Sequence, residues 1–258
     1  MIGWGKSSWG CWAIVACIAA ITAAGGARGV ETFIPTEVPL QKVFVPTSGY
    51  DDNDRVEIVV KGVLPNPCFT LGKTVAEPIP GTNQFKIHQH AWMTLMGPCT
   101  GEIMNDPIPY TSVAEVGILP VASYSVTFNA GTQKPGLATF QVDKAMSADV
   151  DNFRYAALQT VDIKEITWEE DDVIATLNGV FSSKCQSLEK TVVEIQGDLI
   201  VVMPKLITRE DPNCEKRMIP FSEKLNLGPL KMGSYLIHAR SRGGKAIYRP
   251  FEVWPRVR

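Results

Sequence analysis

The chain has three histidines in 258 residues, and two of them stand together in His88-Gln89-His90-Ala91-Trp92. Strand alternation puts His88 and His90 on one face, near enough for both imidazoles to reach a single metal ion. The nearby Met93 and Met96 are soft ligands that would suit copper in an exported protein. Strand geometry weakens that set. Met93 falls on the opposite face, and Met96 lies about 20 Å from His90 along an extended chain. With no third ligand identifiable, metal binding through His88 and His90 competes with the plainer reading of a half-exposed strand face. His238 lies on a further predicted strand, Tyr235 to Arg240. No Gly-x-Ser-x-Gly elbow, His-Glu-x-x-His pair or phosphate-cradling loop accompanies these residues. A Ser–His–Asp site is never excluded by sequence order, but the residues give no positive sign of one. The expectation is therefore a protein that is not an enzyme and needs no cofactor.

Charge concentrates near the C-terminus. Arg240, Arg242, Lys245 and Arg249 fall within ten residues, interleaved with Tyr248, Phe251 and Trp254. Such a mixture is enriched in protein interfaces, and the four cations are the candidate partner-binding residues for an acidic protein or envelope component. The alternative is an edge hairpin kept soluble by its charges. The acidic runs Asp51-Asp52-Asn53-Asp54 and Glu169-Glu170-Asp171-Asp172 precede strands and lack the glycine-punctuated spacing of calcium loops, so they read as solvated turns. A net charge of −2 implies no nucleic-acid partner.

These residues are carried on a duplicated frame. Val56 to Val63 with Cys68 recurs as Val173 to Val180 with Cys185. Pro109-Tyr110, Gly117, Leu119, Tyr124, Val126, Phe140 and Val142 return 111 positions later as Pro220-Phe221, Gly228, Leu230, Tyr235, Ile237, Phe251 and Val253. A period that long is a whole small domain, not a solenoid unit. Each copy shows about seven short runs of β-branched and aromatic residues between Gly, Pro, Asn and Asp clusters. Ser241-Arg242-Gly243-Gly244-Lys245 is a hairpin turn, since consecutive glycines accept positive φ. The pattern predicts an all-β chain of two tandem sandwiches, each with its own core. Residues 42–143 form the first, 144–157 the linker and 158–258 the second, after an extended lead-in over 28–41.

Cysteines repeat with the frame. Cys68 and Cys99 lie 31 residues apart, and Cys185 and Cys214 lie 29 apart. In an exported chain such spacing reads as a disulfide framework, and the duplication favours pairing within each repeat. The order Gly-x-Leu/Val, Cys, Cys, Pro-Tyr/Phe, Gly-x-Leu, Tyr-x-Val and Phe-x-Val resembles small immunoglobulin-like modules of bacterial exported proteins. The resemblance implies a β-sandwich, and the motifs that carry it are structural. It does not extend to antibody topology, because there the inter-sheet disulfide spans a longer stretch and brackets a core Trp.

Residues 1–27 read as a signal peptide, with Lys6, an apolar run from Cys11 to Ala24 and small residues before Arg28. That run is shorter than the roughly 18 residues that span a bilayer. Ile14-Val15-Ala16-Cys17 resembles a lipobox, although the apolar run continues past Cys17. Export to the periplasm or cell surface then suggests adhesive or scaffolding binding. A second class is inhibition of secreted enzymes through the proline-bounded loop Leu64-Pro65-Asn66-Pro67-Cys68, and a third is periplasmic copper or zinc handling by the histidine pair.

Overall fold

A computed structural model describes residues 33–94, 106–129, 131, 135–151, 153–164 and 166–255. Among the described residues there are seventeen strands and no helix. In the first half these are β1 (Phe33–Val38), β2 (Leu40–Phe44), β3 (Tyr50–Asp51), β4 (Val56–Leu64), β5 (Phe69–Pro78), β6 (Gln84–Thr94), β7 (Ile108–Gly117), β8 (Ala122–Phe128) and β9 (Gly136–Asp143). The second half holds β10 (Ala157–Asp162), β11 (Ile166–Trp168), β12 (Asp172–Phe181), β13 (Gln186–Gln196), β14 (Leu199–Thr208), β15 (Ile219–Pro229), β16 (Gly233–Ser241) and β17 (Lys245–Trp254).

Four sheets result. Sheet I has the order β1-β6-β8-β9-β3, with β5 also on β6, and sheet II is β2-β4-β7. Sheet III is β11-β17-β16-β14-β13, and sheet IV is β10-β12-β15. The duplication seen in the sequence is therefore a duplication of topology: β2 to β9 and β10 to β17 pair in the same order. Even the irregularities repeat, with a register shift at Leu40/Lys42 and its counterpart at Leu158/Thr160. The extra strand β1 pairs with the C-terminal half of β6, while β8 pairs in parallel with its N-terminal half. The second half makes a shorter version of that addition, where Tyr155 bridges Lys205 on β14. Thus part of the expected lead-in is built into sheet I, and the end of the expected linker into sheet III. Parallel pairs β6–β8, β14–β16, β3–β9 and β11–β17 make sheets I and III mixed, unlike the antiparallel sheets of antibody domains.

Each half has its own apolar core. Val56, Ile58 and Val60 of β4 meet Phe85, Ile87, Val126 and Phe140 between sheets I and II. Val173, Ala175 and Leu177 of β12 meet Ile200, Ile237, Phe251 and Val253 between sheets III and IV. One device recurs with a difference. A Cβ on Gly62 would collide with the Tyr110 ring, and a Cβ on Gly179 with the Phe221 ring and the Ala157 carbonyl. Each glycine lets an aromatic side chain lie flat across the neighbouring strand. In both halves a core tyrosine ties down the preceding turn: the Tyr124 hydroxyl donates to the Pro120 carbonyl at 2.8 Å, and that of Tyr235 to Lys231 at 2.9 Å.

A third cluster joins the halves. Phe44, Val59 and Val113 on the outward face of sheet II pack on Leu199, Val201, Met203, Leu236 and Tyr248 of sheet III. The four sheets therefore stack in the order I, II, III, IV, with II and III covered on both faces.

Cys185 and Cys214 form a disulfide inside the second half, with Cα atoms 5.7 Å apart. Cys68 is buried, whereas Cys99, the expected signal peptide and Cys17 lie outside the described residues. Among the described residues no helix is long and apolar enough to cross a membrane.

Candidate functional site

The four cations read as one basic hairpin are divided by the fold. The turn itself is as expected, with Gly243 and Gly244 at φ 73° and 68°. Arg240, however, is not part of an exposed basic face. Its side chain is 11% exposed and reaches into the first half. There it pairs with Asp54 at 3.5 Å, donates to the Gly49 carbonyl and lies over the Tyr50 ring. The local cause is a one-residue exchange of roles. In the first half Asn129 fastens the end of β8 to Leu40 on β2. In the second half the residue after Arg240, Ser241, does this by accepting from the Leu158 amide at 2.9 Å, which leaves Arg240 to cross the seam.

Polar groups around Arg240 are strongly perturbed. Burial lifts the Asp54 carboxyl to about 6 despite the guanidinium, and burial also raises Asp151, whose carboxylate accepts from the Gly244 amide. His238 is fully enclosed beside Tyr248, and burial depresses its imidazole to about 3, keeping it neutral. The hydroxyls of Tyr50 and Tyr248 bind Glu57 through its carbonyl and carboxylate respectively. Further along the seam Lys61 pairs with Glu252 and donates to the Ser234 hydroxyl. Lys42 pairs with Asp198, and the Thr47 amide donates to Gln196. The bonds of Arg240, Tyr248, Lys61, Lys42 and Thr47 cross between halves, so the cluster is a clamp. Its expected acidic turn, Asp51 to Asp54, serves in that clamp instead of lying in solvent: Asp51 and Asp54 are buried.

Arg242 and Lys245 remain exposed at the hairpin tip. Arg242 lines a cavity of about 410 Å³ with Val150, Phe153, Arg154, Tyr155 and Leu206. Val150 and Phe153 are exposed apolar residues, and Lys205 caps the Phe153 ring from 3.2 Å. Arg249 lines a different cleft, between β7 and β17. Sequence reasoning passed over Phe153 because the 144–157 segment has no periodicity. Its one visible sign was an aromatic residue beside Arg154.

The histidine pair sits on the outward face of sheet I, as strand alternation predicts. His88 is held between carboxylates from the two flanking strands, Glu37 at 2.9 Å and Glu77 at 3.4 Å, and its ring stacks on that of His90. The two carboxylates meet opposite sides of the ring, and among the described residues no group of three His, Cys, Asp or Glu converges on a metal position. In the β4–β5 loop, Pro65 and Pro67 are exposed while Asn66 is buried and accepts from the Cys68 amide at 2.9 Å.

Comparison with known proteins returns no matching family, no matching curated protein and no matching solved structure.

Proposed function

We propose that this chain is an exported, non-enzymatic binding or scaffolding protein of the bacterial periplasm or cell surface, built from two immunoglobulin-like β-sandwich modules. Its recognition surface is the cleft beside the β16–β17 hairpin tip. The observation that carries the reading is the combination of a clamped seam with an open, aromatic and cationic cleft next to it. Arg242, Arg154, Val150 and Phe153 are exposed on a frame that ion pairs and an apolar cluster hold stiff. A preorganised surface loses little conformational freedom on binding. The Cys185–Cys214 disulfide fits an oxidising compartment. The tyrosine that bonds back to its preceding turn in each half is a device of immunoglobulin-like sandwiches. The favoured partner is an acidic protein or envelope component.

The test compares capture from envelope extract by the wild-type chain and by a Phe153→Ser/Arg242→Glu variant with an unchanged circular dichroism spectrum. The proteins retained by the wild type should be lost with the variant, and their retention should weaken as salt rises. Equal capture by both would overturn the assignment of this cleft.

A further inference from the structure

The two halves provide an internal control for one flank of a strand. In the first half β1 lies along β6 from Phe33, opposite Thr94, to Val38, opposite Gln89. The parallel partners of β6 and β14 make Gln84 equivalent to Leu199, and hence His90 equivalent to Lys205. The bridge between Tyr155 and Lys205 therefore stands where Glu37 meets His90. On this flank of β14 the Leu206 amide donates to the Arg154 carbonyl at 2.7 Å, and the Ala156 amide to Pro204 at 2.9 Å. Among the described residues the pairing goes no further, and no strand lies beside Thr208 and Arg209 in the places of Ile34 and Phe33.

The linker is held elsewhere. Asp151 accepts from the Gly244 amide on the hairpin, and the Asn53 side chain donates to the Ser147 and Asp149 carbonyls. Alternation fixes what the flank then offers. The Arg209 amide donates to Cys185 at 2.9 Å on the β13 side, so the amide and carbonyl of Thr208 face the open flank, as the Leu206 amide does. The cleft of about 410 Å³ lies here, with Phe153, Arg154, Leu206, Thr208 and Arg242 in its wall.

We propose that this cleft takes the extended C-terminal tail of a partner protein, which adds to β14 beside Thr208 as β1 adds to β6 and brings its terminal carboxylate to Arg154. The proposal rests on the assignment of the hairpin-tip cleft as the recognition surface. Strand addition gives main-chain hydrogen bonds along an edge that is already in place. The shortness of the flank selects a chain end. A tail running as β1 runs meets the protein's own chain at Phe153 and Arg154, so a carboxyl terminus fits and an internal segment does not. Arg154 and Arg242 are exposed there, and a guanidinium suits a carboxylate. Asp149 and Asp151 also line the cleft, so the carboxylate is recognised by contact with Arg154 and not by an overall positive field. The residue opposite Thr208, in the place of Ile34, should be apolar, since Leu206 shares that face and Val150 lines the cleft. Because β1 is already paired with β6, the tail comes from another molecule.

The probe is acetyl-Thr-Phe-Ile-Pro, the sequence of residues 32–35, as the free acid and as the C-terminal amide. Each is titrated into the full-length chain, an Arg154→Gln variant and a Thr208→Pro variant, with amide NMR as the readout. The free acid should bind the wild type saturably, with its largest shifts at Ile207 to Arg209. The amide form should bind roughly ten- to a hundredfold more weakly, the loss of one hydrogen bond between charged groups. Arg154→Gln, at an exposed position, should fold normally and bind both forms with the affinity of the amide. Thr208→Pro removes the amide that faces the flank while sparing the bonds to β13, and should lose both forms. The proposal is overturned if the free acid does not bind, if acid and amide bind alike, or if Arg154→Gln still prefers the acid; this last comparison decides even where Thr208→Pro fails to fold. Binding by a folded Thr208→Pro at wild-type strength overturns it too. Envelope capture separates this proposal from the one it rests on. If Phe153→Ser/Arg242→Glu abolishes capture while the peptide fails to bind, only the tail proposal falls; equal capture by that variant and the wild type removes the cleft itself.

Discussion

Removing the Arg240 guanidinium would leave Asp54 buried without the charge that faces it. Breaking a buried pair from one side costs roughly 3–5 kcal/mol, whereas an exposed substitution away from such features usually stays within about 0.5 kcal/mol. Arg240→Met should therefore lower the urea midpoint sharply and Arg242→Ser should barely move it; equal midpoints would show that Arg240 does not clamp the seam. Two neighbours titrate in opposite senses. Burial lifts Asp54 to about 6 from 3.8, so between those values the folded chain keeps a proton that the unfolded chain has released. Stability from this group is thus complete below about pH 4 and is lost as pH rises through about 6. Burial depresses His238 to about 3 from 6.5, so the unfolded chain takes up a proton that the fold excludes. Its contribution is present above about pH 6.5 and is lost as pH falls toward 3. Asp54→Asn should steepen the loss of stability between pH 6 and 4, and His238→Gln should reverse it. Urea titrations across that range check both, and parallel pH profiles for all three proteins would refute the assignment.

At the scale of elements, the glycine–aromatic crossings are the most exposed to test. Gly62→Ala forces the Tyr110 ring off β4 and should cost about 1–3 kcal/mol as overpacking does. A cycle with Tyr110→Ala should show coupling, since the ring is what the new methyl meets. Gly179→Ala should stay costly even with Phe221→Ala, because the Ala157 carbonyl also blocks it. Additive energies at Gly62 and Tyr110 would contradict this geometry. These local devices were legible in the sequence. The Gly62 and Gly179 positions, the paired aromatics and the Gly243-Gly244 turn are set by backbone sterics within one repeat, so spacing reveals them. The fate of Arg240 was hidden because it depends on which outward faces meet. The signal for that was present in another form. Leu199 to Val202 and Tyr235 to Ala239 are apolar or enclosed at nearly every position, without alternation, as strands covered on both faces are.

For the whole molecule, each half owns a core, yet the second half separated from the first would expose Leu199, Val201 and Leu236. A fragment of residues 153–258 should associate or aggregate under oxidising conditions. The equivalents of Val201 and Leu236 in the first half are Lys86 and Ser125, and both lie on the outer face of sheet I. Introducing Val201→Lys and Leu236→Ser should make the fragment monomeric in sedimentation while destabilising the full-length chain. A wild-type fragment that is already monomeric and cooperatively folded would mean that the seam is dispensable.

The same equivalence reaches the other end of the stack. Phe44, Val59 and Val113, which form one side of the seam, correspond to Asp162, Thr176 and Lys224 on the outer face of sheet IV. A contact that joins the front of one unit to the back of the next does not close on itself, and with both faces apolar it would propagate into a fibre. The polar residues on sheets I and IV act as stop signals for that propagation. The two copies have diverged into a left-hand piece and a right-hand piece, and the order of the halves in the chain is thereby fixed. Exchanging 42–143 with 158–255 would bring two polar faces together and leave both apolar faces open to other molecules.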